Sequence, residues 1–237
     1  MGFKFKQFTI EDYACAMKVG TDSLMLGSWV QSHDAQKILD IGTGSGLLAI
    51  MLAQKSQQAC IIDAIDIDAA AISQARDNAK NCPWEAQLSF HNIDLQTFCS
   101  ATAYDLIVSN PPYFPINIRV NKTQSAKNRL NARQTLALDH PTLLRAVSTL
   151  LSSDGKFCCV LPMDIATLFI TEAESVGLFC TRELQVQPKP SSPVIRLLLE
   201  FTPTKTSKNS ERLTIYNHLN QYTQEYKKLC KDYYLNF

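Results

Sequence analysis

Asn110-Pro111-Pro112-Tyr113 combines residue types suited to chemistry on a planar nitrogen. An amino group conjugated to a ring or a carbonyl is a weak nucleophile because its lone pair is delocalised. Attack on an electrophilic carbon needs acceptors that fix its two protons and favour a pyramidal nitrogen. The side-chain oxygen of Asn110 and the main-chain carbonyl of Pro111 are two such acceptors. Pro111 and Pro112 stiffen the backbone so that the geometry is preset. Tyr113 offers a flat face on which a planar acceptor stacks.

A second constellation lies upstream, Asp40-Ile41-Gly42-Thr43-Gly44-Ser45-Gly46. Gly42, Gly44 and Gly46 let the backbone approach a ligand closely. A dinucleotide fingerprint would place its last glycine at position 47, which is Leu47, so the spacing suits a cofactor without a pyrophosphate. Asp40, in the strand before the turn, occupies the place of the acid near the amino-acid moiety in S-adenosylmethionine sites. Asp66, twenty residues past Gly46, is placed to accept two ribose hydroxyls, and Asp68 reads as the cap of the next helix. Asp94 can accept the exocyclic amine of an adenine. Further upstream, Thr21 or Asp22 can cap a helix whose free N–H groups face the donor carboxylate, with Lys18 adding positive charge. The expected reaction is methyl transfer from S-adenosyl-L-methionine to an amine held by Asn110, Pro111, Pro112 and Tyr113.

The elements that position these residues alternate as in a wound α/β sheet. Strands are expected over 37–41, 60–66, 86–91, 104–109, 156–161, 178–187 and 194–201. Helices are expected over 22–32, 46–55, 69–81, 139–151, from Pro162 to Gly177, and about 217–231. The expected fold is a seven-stranded Rossmann-like sheet of the class I methyltransferase type, with helices on both faces and the last strand antiparallel. The whole chain, 1–237, reads as one domain with a short N-terminal extension (about 1–33) and a C-terminal polar helix.

The net charge of +1 hides an asymmetry. Residues 34–110 carry nine acids against four bases, whereas 114–133 carry five bases and no acid. Residues 203–237 carry six bases against three acids. A polyanion would be gripped on the basic stretches. The candidate RNA contacts are Arg119, Lys122, Lys127, Arg129 and Arg133, with Lys4, Lys6, Lys227, Lys228 and Lys231. The eight cysteines lack metal or disulfide spacing, and no apolar run approaches the ~20 residues of a membrane span. The N-terminus lacks the apolar stretch of a signal peptide. A cytoplasmic protein without a metal, a monomer by default, is expected.

Residues 5–162 resemble the bacterial tRNA1(Val) (adenine(37)-N6)-methyltransferases. The resemblance rests on FKQF, CAMKVGTDSLMLGSW, LDIGTGSGLLAIMLAQ, IVSNPPYF and TLALDHPTLL; the KVGTDS block joined to the LDHP block is the specific part. It implies methylation of N6 of the adenine 3′ of the anticodon in a valine tRNA. Asp40, Gly42, Asp66, Asp94 and Asn110 to Tyr113 are then site residues. Asp66 stands where relatives often carry Glu, and 115–131 departs from the pattern. Two other amine methylations share the tetrapeptide, on guanine N2 of ribosomal RNA and on protein glutamine. Those enzymes usually carry a larger N-terminal domain, and only 39 residues precede Asp40 here. A non-catalytic RNA-binding protein with a vestigial donor site is the remaining reading, and the intact glycines and Asn110 argue against it.

Overall fold

The computed structural model describes residues 2–15, 17–112 and 139–237. Tyr113, Arg119, Lys122, Lys127, Arg129 and Arg133 lie outside the described residues. A small antiparallel pair, β1 (Phe3–Lys4) and β2 (Thr9–Ile10), precedes α1 (Thr21–Trp29). Then follow β3 (Lys37–Ile41), α2 (Leu47–Lys55), β4 (Ile61–Asp66), α3 (Ala69–Lys80), β5 (Leu88–Asn92) and β6 (Tyr104–Ser109). The remainder is α4 (His140–Leu150), β7 (Leu151–Pro162), α5 (Met163–Ser175), β8 (Phe179–Gln187), β9 (Arg196–Thr202), β10 (Asn209–Thr214) and α6 (Gln224–Cys230).

The main sheet has the order β10-β8-β9-β7-β6-β3-β4-β5. From β7 to β5 every pairing is parallel, and β9 runs antiparallel to both β7 and β8. This is the expected sheet with one strand more. β10 pairs in parallel with β8 and was not expected. Its sequence, Asn-Ser-Glu-Arg-Leu-Thr, lacks apolar alternation, and only Leu213 is buried, because the strand sits at an edge.

Side chains alternate across each strand, so every buried strand feeds two cores. Ile38, Ile62, Val108 and Cys158 point into the layer built by α1, α2, α3 and α6, while Leu39, Ile65, Ile107 and Cys159 point into the layer under α4 and α5. Burial of each Leu or Ile contributes ~1.5–3 kcal/mol, which fixes the register because a one-residue slip would reverse both faces. The N-terminal hairpin belongs to the first layer. Phe5 and Phe8 stack at 4.5 Å between ring centroids, and Phe8 meets Trp84 and Tyr233 edge-on. Helix α1 crosses α2 closely at Gly27, where a Cβ would lie 2.7 Å from the Met51 side chain.

Two expected caps form. Asp68 accepts from the Ala70 N–H at 2.9 Å, and Asp139 accepts from the Thr142 N–H at 2.8 Å with Pro141 in the first turn. At α1 the expectation fails. Its N-cap is Gly20, with no side-chain cap. Asp22 is instead ion-paired with Arg196 at 2.9 Å, and Thr21 already lies inside the helix. The C-terminal helix is also shorter than the expected 217–231. The Asn217 side chain accepts from the Leu219 and Gln221 N–H groups and holds a turn there, so α6 starts only after Thr223 caps it. Nor is α6 polar all round, since Tyr226 and Cys230 are fully buried.

Helix α2 has no side-chain acceptor at its own N-cap, because that residue is Gly46. Asp40 supplies one from β3: its Oδ2 accepts from the Ala49 N–H at 3.2 Å and the Thr43 hydroxyl at 2.6 Å. Burial pushes the Asp40 carboxyl up to about 7, against the pull of these two hydrogen bonds. Its folded pKa therefore lies above the unfolded one, and its stabilisation is present at acid pH and lost as pH rises through about 7. Asp40→Asn keeps an acceptor for both donors. Thermal melts between pH 4 and 8 should show wild type losing on the order of 2–4 kcal/mol relative to Asp40→Asn as pH rises. Gly46 is left-handed at φ 81°, with Ala75 and Phe90 atoms 3.1 and 3.2 Å from a built Cβ. Gly46→Ala should cost about 1–3 kcal/mol by denaturant unfolding.

Candidate active site

Strand order reverses at β3, whose neighbours are β4 on one side and β6 on the other. Ligands of open parallel sheets bind beyond the carboxyl ends of strands at such a point. An open cleft lies there. Gly42, Gly44, Asp66, Asp94, Asn110 and Pro112 line it.

The donor half is shaped by backbone hydrogen bonds. Gly42 and Thr43 both donate to the Ile65 carbonyl, at 2.9 and 3.0 Å, which folds the turn after β3 over the end of β4. Gly44 then donates to Asp66 Oδ2 at 2.9 Å, and Asp66 Oδ1 accepts from the Asp68 N–H. Gly42 and Gly44 have φ of 73° and 55°, left-handed values that favour glycine. Among the described residues beyond its chain neighbours, nothing lies within 4 Å of a Cβ built on Gly44, which lines the cleft. Burial raises the Asp66 carboxyl above the ordinary carboxylate range, opposed by the Asp68 and Gly44 N–H groups. Asp94 is half-buried, and its Oδ1 accepts from the Gln96 N–H at 2.9 Å.

Asp40 lies beneath the turn rather than in the lining. Its Oδ1 is buried and has no hydrogen-bond partner among the described residues. An orphaned acceptor there, a glycine cradle and two carboxylates in the cleft fit a ligand that carries adenosine at one end and cationic groups at the other.

The acceptor half starts from β6. Ile41 and Ser109 are paired in register on adjacent strands, and the buried Ser109 hydroxyl donates to the Ile41 carbonyl at 2.9 Å. The last residue before the glycine turn is thus tied to the last residue before Asn110. The Asn110 side-chain Nδ2 donates to Ser23 Oγ in α1 at 2.8 Å.

Other expected site residues fall elsewhere. Lys18 does not line the cleft; its ammonium donates to the Asp12 carbonyl at 2.5 Å and sits 3.6 Å from the Asp12 carboxylate. Asp12 also accepts from the Val19 N–H, so the pair closes a loop over 12–19. Thr21 is exposed and outside the lining. That loop contributes Cys15 and Met17 instead, two residues that composition did not single out. Burial first, and Asp66 second, push the Cys15 thiol up to about 11, so it is a neutral, apolar wall. Asn78 is a further unforeseen residue. It donates to the Glu11 and Ser45 carbonyls at 2.8 Å each and accepts from the Glu11 N–H, linking the N-terminal segment to the glycine turn.

The basic candidates at the two ends of the chain come together. Lys6 donates from its ammonium to the Lys231 and Phe237 carbonyls at 2.5 and 2.7 Å, and its N–H bonds the Tyr233 carbonyl. Lys4, Lys228 and Lys231 are exposed, and Lys227 is half-buried. The tail packs on the C-terminal end of α2, through Tyr233 to the Met51 carbonyl and Gln54 to the Asp232 carbonyl. The cleft lies at the opposite, N-terminal end of that helix.

Comparison with known proteins bears on the family and the fold. Residues 13–161 match the Methyltransferase small domain family. A tRNA1(Val) (adenine(37)-N6)-methyltransferase from Pseudoalteromonas atlantica is 47% identical, the match covering 100% of this chain and 98% of the relative. One from Trichodesmium erythraeum is 44% identical, covering 99% and 98%. Among solved structures, a predicted O-methyltransferase from Agrobacterium tumefaciens superposes with a TM-score of 0.68 at 15% identity, covering 90% of this chain and 96% of that one. The N-methyltransferase NodS from Bradyrhizobium japonicum, in complex with S-adenosyl-l-homocysteine, gives 0.51 at 18% identity, covering 76% and 82%; both share the fold. Sheet order, glycine turn and full-length identity converge, and the chain belongs to the tRNA1(Val) (adenine(37)-N6)-methyltransferase family.

Proposed function

We propose that this protein methylates N6 of adenine 37 in tRNA1(Val), with S-adenosyl-L-methionine as donor. The observation that carries the reading is the placement of Asn110 in the wall of the donor cleft, one strand away from the glycine turn. When bound, the donor supplies a methyl group on a sulfonium, an electrophile whose leaving group is a neutral thioether. Asp66 would hold the ribose hydroxyls with the lone pairs not used by Gly44 and Asp68, and Asp94 the adenine amine. Ile67 and Leu95 add apolar walls beside these acids. The Asn110 side-chain oxygen and the Pro111 carbonyl would accept the two N6 protons of the substrate, and Tyr113 would stack on its ring. No strong base is required, because the methylated ammonium loses a proton readily to water.

Adenine 37 lies in the anticodon loop of the relatives' named substrate, where a base reaches a pocket without melting a helix. We assign the basic run containing Arg119, Lys122, Lys127, Arg129 and Arg133 to the loop backbone, because it follows the tetrapeptide directly. Lys4, Lys228 and Lys231, a helix length from the cleft, would meet a more distant part of the tRNA; Lys6 serves the C-terminal tail. Reaction on tRNA places the protein in the cytoplasm.

The test is methyl transfer from labelled donor to bulk tRNA lacking the modification, followed by nucleoside analysis. N6-methyladenosine in a valine tRNA is expected, and label in guanosine or in protein would overturn the substrate. Asn110→Ala should lower the single-turnover rate ~10²–10³-fold, the scale for losing one preset polar contact to the reacting group. Asp66→Ala should weaken donor binding by calorimetry ~10-fold or more, since it also orphans the Gly44 N–H. Arg129→Glu should weaken tRNA binding and steepen no donor isotherm; a parallel loss of donor affinity would refute the division between the two surfaces.

A further inference from the structure

Asparagine is an ambiguous catalytic acceptor. Its amide has an oxygen on one limb and an NH₂ on the other, nearly equal in size, so packing cannot choose which faces the substrate. The N6 amine of adenine presents two N–H donors. Oxygen towards it makes a hydrogen bond; NH₂ towards it sets donor against donor. Whatever partner meets the other limb therefore bears on the rate.

One such partner is Ser23. Its Oγ accepts from Asn110 Nδ2 at 2.8 Å across a sequence separation of 87 residues. Both limbs leave one carbon, so an NH₂ held by Ser23 turns Oδ1 away from α1. Asn110 itself forms part of the cleft wall.

Ser23 is delivered rigidly. It lies in the first turn of α1, which is pinned at three points. Asp22 pairs with Arg196 of β9 at 2.9 Å, with both side chains partly buried. Val19, just before the helix, donates to Asp12 at 2.9 Å. Leu24, Met25 and Leu26, directly after Ser23, are almost fully buried. A side chain on such a support holds its partner in one geometry without reorganisation, the condition for a precise site.

We infer that Ser23 is a positioning residue for methyl transfer, acting by holding the NH₂ limb of Asn110 so that Oδ1 is committed to the acceptor amine. The inference rests on the function proposed above and deepens it. It also gives the KVGTDS segment a role in acceptor chemistry, whereas its sequence suggested a role at the donor. Removing the hydroxyl leaves the NH₂ limb without this acceptor and costs the productive orientation its advantage. Donor binding and tRNA docking do not depend on that limb.

The experiment compares wild type, Ser23→Ala and Ser23→Thr, using unmodified tRNA and S-adenosyl-L-methionine. Single-turnover rate, donor Kd, tRNA Kd and Tm are measured for each. Ser23→Ala should lower the single-turnover rate ~10-fold, the worth of one hydrogen bond to a polar group. Both dissociation constants should stay within about 2-fold of wild type. Ser23→Thr, which keeps the hydroxyl, should recover most of the rate. An unchanged rate in Ser23→Ala overturns the inference. So does a fall matched by equal losses in donor affinity and Tm with no recovery in Ser23→Thr, the signature of a merely structural helix residue. Wild type that forms no N6-methyladenosine refutes the proposed reaction itself, a different outcome from active wild type with an indifferent Ser23.

Discussion

Two neighbouring strands end at the same level, and the site depends on that fact. β3 ends at Ile41 and β6 at Ser109, the two are paired in register, and a buried hydroxyl ties one to the other. Adjacent strands lie ~4.8 Å apart, a spacing that backbone hydrogen bonds hold tightly. The glycine turn and the tetrapeptide, to which we assign donor and acceptor, begin one residue beyond each. A transfer reaction driven by positioning needs little else from the scaffold than that this separation stay fixed. The two cores serve the same end, since Ile38 and Leu106 on one face and Leu39 and Ile107 on the other lock the pair against slippage.

The acids around the cleft form a graded set. Asp40 is fully buried and props the start of α2, whereas Asp66, which props the glycine turn, and Asp94, in its loop, are half-buried. Backbone N–H groups satisfy most of their oxygens before any ligand arrives. The carboxylates are thereby preorganised, even though burial raises the pKa of Asp40 and Asp66.

Much of this was legible in the sequence. The strands 37–41 and 104–109 were found to the residue, because short apolar runs bounded by glycine, asparagine and proline leave few alternatives. The placement of the glycine turn and of Asp66 at one cleft was legible because each directly ends a short apolar strand. β10 was hidden, since an edge strand needs no apolar alternation. The short α6 was hidden by Asn217, whose side chain competes with helical hydrogen bonding. Lys18 and Thr21 lie outside the cleft lining for a related reason: Lys18 is bonded to Asp12, six residues away, and a charge near a site in sequence need not face it. Ser23 and Asn78 could not be read at all, because their partners are 87 and 67 residues away.

The adjacent thiols Cys158 and Cys159 take opposite sides of β7, one in each core, and both are fully buried with pKa values raised by desolvation. Consecutive residues on a strand cannot turn toward each other without breaking the ladder, so the pair is inert to vicinal oxidation while the sheet is intact. Alkylation of one short peptide would accordingly keep two separate records, one of each time the layer with α1 and α2 opens and one of each time the layer with α4 and α5 does.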